Sequence, residues 1–218
     1  MRDRGLQAVL FDWDGTLVNT AEASYRCYEK LFGSYGIAFD REAFRRTYSP
    51  NWHLTYSALG LAEERWAEAD ARWLRHYGEE EVVLIDGARE ALQRVREAGL
   101  GAGLVTSGDR VRVSRELAAL GVAEFFQALV CAEDTAERKP RPEPLLLALE
   151  RMRLAPGQAV YIGDSPEDVE MARAAGVRAV GIPGAFPNRE SLAAARPDVL
   201  SPSLAEAVAR VLAVEPGP

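Results

Sequence analysis

Apolar and polar positions along this chain fall into two regimes. At 7–11 a short apolar run predicts a buried strand, and it stops abruptly at Asp12-Trp13-Asp14-Gly15-Thr16. Over 20–78 the period lengthens, with apolar residues recurring at helical spacing among Glu, Ala, Arg and Leu and no obvious strand. Beyond Asp86 the two periods alternate: helix 87–97, strand 101–106, helix 110–120, strand 126–131, helix 143–153 and strand 159–162, then helix 166–175, strand 178–182, helix 189–195 and helix 203–214. Such alternation predicts an α/β fold whose parallel sheet is covered on both faces. The helical stretch then reads as an insertion after the first strand. It divides the chain into a core of residues 1–17 and 85–218 and an all-helical unit of residues 18–84. Two connections, 17–20 and 82–87, cross between them as a two-stranded hinge, and the tail 215–218 reads as frayed.

Chemistry gathers where the strands end. An apolar strand that runs into Gly opens into a loop at the carboxyl edge of the sheet, where open α/β sheets bind ligands. Asp12 stands there as a candidate nucleophile toward phosphorus, and Asp14 as a group that protonates a leaving oxygen and then deprotonates water. Carboxylates this close repel unless a cation or a shared proton relieves them, so the pair predicts bound metal or coupled titration. An ordinary Asp-Gly turn is the alternative. Thr106-Ser107-Gly108 ends another strand and offers hydroxyl and N–H groups to phosphate oxygens, or else Ser107 or Asp109 simply caps the next helix. Asp164, after the strand at 159–162, could supply a further metal carboxylate. Asp168 is compatible with a supporting role around the metal and equally with an acidic first turn behind Ser165 and Pro166.

Lys139 stands out by composition. Of 26 basic residues only it and Lys30 are lysine, and a compact ammonium fits among carboxylates and phosphate where a planar guanidinium would not. A surface lysine is the plainer reading, and Lys30, on a helical pattern, fits that one.

Length and charge narrow the function classes. With 218 residues, 48% of them hydrophobic, the chain can bury one full core and a small second domain. A net charge of −7 without a block of like charges excludes nucleic acid as the main partner but leaves a small anionic substrate possible. Cys27 and Cys131 form no metal or disulfide framework, and His53 and His76 are too few for a His-rich zinc site, so a bound metal should be hard and held by oxygen, with magnesium the leading candidate. No apolar run occurs at 1–5, and none approaches the ~18 residues of a membrane span, so a cytoplasmic protein without membrane contact is expected.

In this order, Asp-x-Asp-Gly-Thr at Asp12, the Thr/Ser pair at Thr106, Lys-Pro-x-Pro at Lys139 and Gly-Asp-Ser-x-x-Asp at Asp164 resemble the haloacid dehalogenase superfamily of magnesium-dependent phosphohydrolases. The insert after the first motif is similar to the helical C1 cap of the phosphoglycolate phosphatase and β-phosphoglucomutase branch. The resemblance implies a Rossmann-like sheet of order 5-4-1-2-3 and catalysis through an aspartyl-phosphate. It implies Asp12 as nucleophile and Asp14 as general acid/base, with Thr106, Ser107, Gly108 and Lys139 around the phosphoryl group. The implied metal site uses Asp12, Asp14, through its backbone carbonyl, and Asp164, with Asp168 orienting a metal-bound water. Substrate choice would fall to the cap, around the loop at 47–53, where Arg45 and Arg46 could pair with a distal anion and Trp52 and Tyr56 could pack on the substrate. Equally, Tyr56, Trp66 and Trp73 at helical spacing read as cap core.

The expected activity is hydrolysis of a small phosphomonoester. A sugar phosphomutase would use the same residues. A haloacid dehalogenase lacks the second acid, and a phospho-accepting signalling module lacks the insertion.

Overall fold

The computed structural model describes residues 5–213. Six parallel strands form one sheet in the order β3-β2-β1-β4-β5-β6. They are β1 (Ala8–Phe11), β2 (Gly101–Val105), β3 (Phe126–Val130), β4 (Ala159–Gly163), β5 (Arg178–Gly181) and the two-residue β6 (Val199–Leu200). The first five reproduce the expected order; β6 is too short to show a period and extends one edge. Alternation sorts the side chains of β1. Val9 and Phe11 join one apolar cluster with α5 (Ala88–Glu97), α6 (Arg110–Ala119) and α10 (Leu204–Ala213). Ala8 and Leu10 face a second cluster, with α7 (Glu143–Met152), α8 (Pro166–Ala174) and α9 (Arg189–Ala194). Because both faces are covered, the central strands are buried along their whole length.

The insert between β1 and β2 contains α1 (Ala21–Ser34), α2 (Arg41–Thr47), α3 (Trp52–Ala58) and α4 (Trp66–Tyr77) around an aromatic cluster that includes Tyr28, Phe32, Phe44 and Tyr56. Its entry and exit segments bond to each other: Val18 bridges Leu84, Asn19 N–H donates to Val83 O (3.0 Å) and Ile85 N–H to Leu17 O (2.9 Å). Both cysteines are buried and free. Among the described residues no helix is long and apolar enough to cross a membrane. The expected fray at 215–218, like the last residue of the final predicted helix, lies outside the described residues.

Candidate active site

The sheet reverses direction of growth between β1 and β4, and a crevice opens at their carboxyl ends. Asp12 leaves β1 there, its N–H donating to Ile162 O of β4 (2.9 Å), which sets it beside Gly163 and Asp164. Asp168 lies in the first turn of α8, where its two oxygens divide their work. Oδ2 closes a capping box, accepting from Ser165 N–H (3.1 Å) and Oγ–H (2.7 Å), while Asp168 N–H donates to Ser165 Oγ (3.2 Å). Oδ1 faces the crevice and meets Lys139 Nζ (2.7 Å). The helix-start reading of Asp168 is therefore realised, while its other oxygen lies beside Lys139 at the crevice. Gly163 makes room, since a Cβ there would sit 2.4 Å from the Asp168 carboxyl carbon.

Lys139 Nζ donates to Asp12 Oδ1 (2.5 Å), Asp168 Oδ1 (2.7 Å) and the Tyr161 hydroxyl (2.7 Å), and that hydroxyl is 3.0 Å from the Val105 carbonyl. Three buried carboxylates, Asp12, Asp164 and Asp168, present oxygens within 4.8 Å of one another, with Lys139 pairing two of them. The excess negative charge has consequences for titration. Burial pushes Asp12 up to about 7 against the pull of Lys139, with the charges of Asp168 and Asp14 adding to the rise. Burial, then Asp12 and Asp168, raise Asp164 well above the usual carboxylate range. Lys139 is held above its ordinary value, because Asp12 and Asp168 outweigh its burial.

The corner around Asp164 is shaped for an occupant. Asp164 Oδ1 accepts one long bond from Thr16 (3.4 Å), and its buried Oδ2 has no hydrogen-bond partner. A Cβ on Gly15 or on Gly184 would lie 2.4 Å from that oxygen, and Gly15 also needs its φ of +87°. An all-oxygen donor set, surplus negative charge and an orphaned carboxylate oxygen fit a hard divalent cation such as magnesium.

Asp14 adds to the rise of Asp12, as expected of neighbouring carboxylates, but it is itself relieved by a cation the sequence did not point to. Each carboxylate has its own cation: Lys139 for Asp12, Arg112 for Asp14. Arg112 Nη1 and Nη2 fork onto the two Asp14 oxygens at 2.9 and 2.6 Å. Burial raises the Asp14 carboxyl, but the charge and hydrogen bonds of Arg112 outweigh it and hold it below its ordinary value. The Asp14 side chain thus stands outside the carboxylate group that converges on Asp164. Arg112 also pairs with buried Glu116 (3.3 Å), which accepts from the Trp13 indole (2.7 Å). Tyr77 of the cap covers the guanidinium, whose carbon lies 4.9 Å from the ring centre.

A cavity of about 270 Å³ joins this floor to the cap. Thr106, Ser107 and Gly108 form part of its wall, with Thr106 Oγ1 accepting from Gly108 N–H (2.9 Å). A Cβ on Gly108 would overlap Arg112 Nη2, 2.2 Å away. From the cap come Tyr28, Trp52, Tyr56 and Trp73, and all four also pack in or against the cap's aromatic cluster. Arg45 and Arg46 are exposed and do not line the cavity, because α2 turns Ala43 and Phe44 inward instead. Cap and core meet in a seam: Tyr48 stacks on Phe186 (4.3 Å between ring centres), Ser49 Oγ donates to Glu167 (3.1 Å), and Arg138 lies over Trp52.

Arg112, Arg138, Tyr161 and Phe186 were not singled out from the sequence. Only Arg112 leaves a usable signal, since Arg112 and Glu116 share the helix face of the core residues Val113 and Leu117. Charges at core positions, four residues apart, mark a buried pair.

Residues 9–182 match the family model described as haloacid dehalogenase-like hydrolase. The chain is 30% identical over 202 residues to pyrophosphatase PpaX of Bacillus velezensis, covering 92% of this chain and 94% of that one. It is also 30% identical to phosphoglycolate phosphatase of Escherichia coli, covering 91% and 90%. Among solved structures, CbbY of Rhodobacter sphaeroides in complex with phosphate superposes with a TM-score of 0.78 at 27% identity, covering 92% and 96%.

Proposed function

The chain belongs to the haloacid dehalogenase-like hydrolases, and on that premise we propose that it is a magnesium-dependent phosphatase cleaving a small phosphomonoester, of the phosphoglycolate kind, through a phosphoryl group carried on Asp12. One observation carries this reading: a strand-end carboxylate, buried beside two further carboxylates and an ammonium, at the floor of a cavity closed by a cap.

Asp12 Oδ attacks phosphorus as the bond to the leaving oxygen breaks; water then cleaves the acyl phosphate, releasing inorganic phosphate and restoring the carboxylate. Lys139 favours the ionised Asp12 needed for the attack, against the opposing effect of burial, and faces the charge arriving with the phosphoryl group. Thr106 and the N–H groups beyond it hold the equatorial oxygens. Magnesium, on Asp12 and Asp164 with Asp168 and the Asp14 carbonyl in support, would offset the charge shared by nucleophile and phosphate.

Asp14 serves as general acid and then base. Arg112 keeps its carboxylate ionised and turned aside, so Asp14 must swing off that fork before it can carry a proton to the leaving oxygen. Tyr77 links the same guanidinium to the cap, and the unit of residues 18–84 is the one that closes over the site and excludes water.

The test is a phosphate-release screen over a panel of phosphomonoesters, with and without magnesium, alongside Asp12→Asn. Magnesium-dependent release that disappears in Asp12→Asn is expected. No release from any ester with magnesium present, or a fully active Asp12→Asn, defeats the reading.

A further inference from the structure

Three cations stand on the cavity wall, and two are already engaged. Lys139 is shared among Asp12, Asp168 and Tyr161, and Arg112 is forked onto Asp14 with Glu116 behind it. Arg138 differs. Its guanidinium carbon lies 4.2 Å above the Trp52 ring, and among the described residues no carboxylate pairs with it. Its Nη1 is buried without a hydrogen-bond partner. A buried charged donor with no acceptor is a standing cost that a bound oxyanion would remove.

The cap offers no competing cation on the cavity wall, its one buried donor without a partner there being the uncharged Trp73 indole N–H. Its single charged side chain on the wall is Asp70, and the two oxygens of Asp70 face Trp52 Nε1 (2.7 Å) and His53 Nε2 (3.3 Å). The remaining cap wall is aromatic, hydroxylated or aliphatic.

We propose that Arg138 is the receptor for a second oxyanion on the substrate, a carboxylate or further phosphoryl group borne on the leaving-group side; the inference rests on the phosphatase reading above. The guanidinium fork matches either group with two parallel hydrogen bonds, and the Trp52 ring fixes its plane. Distal recognition thus moves from the cap arginines Arg45 and Arg46 to a core residue next to Lys139. One loop grips both ends of the substrate, while the cap supplies the surface that aims the distal grip.

The competing role for Arg138 is a latch, holding cap to core through Trp52 with no part in recognition. Steady-state kinetics with magnesium separate the two, using wild type, Arg138→Gln and Arg138→Lys on phosphoglycolate, pyrophosphate and p-nitrophenyl phosphate, the last having no second oxyanion. Under the proposal, Arg138→Gln raises KM for the oxyanion-bearing substrate by about ten- to a hundredfold, the effect of losing a charged hydrogen-bond donor. The ratio of kcat/KM, substrate with a second oxyanion over p-nitrophenyl phosphate, falls by a similar factor, and Arg138→Lys restores part of it. Whether phosphoglycolate or pyrophosphate suffers identifies the carboxylate or the phosphoryl group.

Equal losses on all three substrates, no loss on any, or a wild type that turns over p-nitrophenyl phosphate alone overturns the assignment. If Arg138→Gln does not fold, Arg138→Lys decides, because loss of the fork still shifts the ratio under the proposal and leaves it unchanged for a latch. A wild type that hydrolyses none of the three, nor any ester of the wider panel, would instead refute the phosphatase reading itself.

Discussion

Kept free of metal, this protein should become less stable as pH rises from about 4.5 to 7, and Asp12→Asn should flatten that slope. The sign follows from Asp12, whose carboxyl moves from 3.8 up to about 7 in the folded state. Within that window the native protein holds a proton that the unfolded chain has released. Stability from Asp12 is therefore complete below its unfolded value and lost as pH climbs through the folded one. A rise of about 3 units at ~1.4 kcal/mol each gives about 4 kcal/mol, and with Asp12 only 6% exposed, solvent screening removes little of it. For a chain of this size that is about 8–16 °C in Tm. Asp164, raised by the same burial, adds in the same direction. Asp14 and Asp134, both lowered, lose stability only at more acid pH, below the window. Magnesium should act oppositely, because it needs ionised ligands: its stabilising effect should grow from pH 5 to pH 8. Thermal unfolding followed by circular dichroism, in chelator and in millimolar magnesium, measures both slopes. A metal-free stability that is level or rising across the window, or an identical slope in Asp12→Asn, would refute the reasoning.

Two further substitutions probe the surroundings of the carboxylates. Arg112→Met leaves Asp14 and Glu116 without their cation in a buried setting and should cost about 3–5 kcal/mol in denaturant unfolding; adding Glu116→Gln should recover part of it, and a cost below about 0.5 kcal/mol would mean the network carries no stability. Gly163→Ala places a Cβ 2.4 Å from the Asp168 carboxyl carbon and should weaken magnesium binding measured by calorimetry, whereas Gly157→Ala, where a Cβ meets nothing within 4 Å, should bind as wild type.

What could be read in advance was what local order encodes. Apolar runs ending in Asp12, Thr106 and Asp164 marked strands and their mouths together, because a parallel strand is buried along its length and polar only where it leaves the sheet. The single core-loop lysine was legible through its rarity. Pairings across the chain were not. Arg112 meets Asp14 across 98 positions, and Tyr161 reaches Lys139 across 22; no spacing rule connects such residues, since the sheet order creates the contact. Arg45 and Arg46 misled for a related reason: proximity in sequence to a loop facing the site says nothing about which side of α2 a residue occupies. Asp168 resisted a single reading because its two oxygens do different things.

The bonded crossing at Leu17, Asn19, Val83 and Ile85 has an evolutionary consequence. A long excursion departs from and returns to neighbouring points that are already tied to each other, so the sheet sees the same short closure whatever lies between. Loop-closure entropy grows only slowly with the length of the excursion. The insert can consequently be lengthened, rebuilt or exchanged without renegotiating the register of β1 and β2. Ancestral lineages could change the contents of the lid while the floor beneath stayed fixed, which makes this crossing a natural cut point for grafting the cap of one relative onto the core of another.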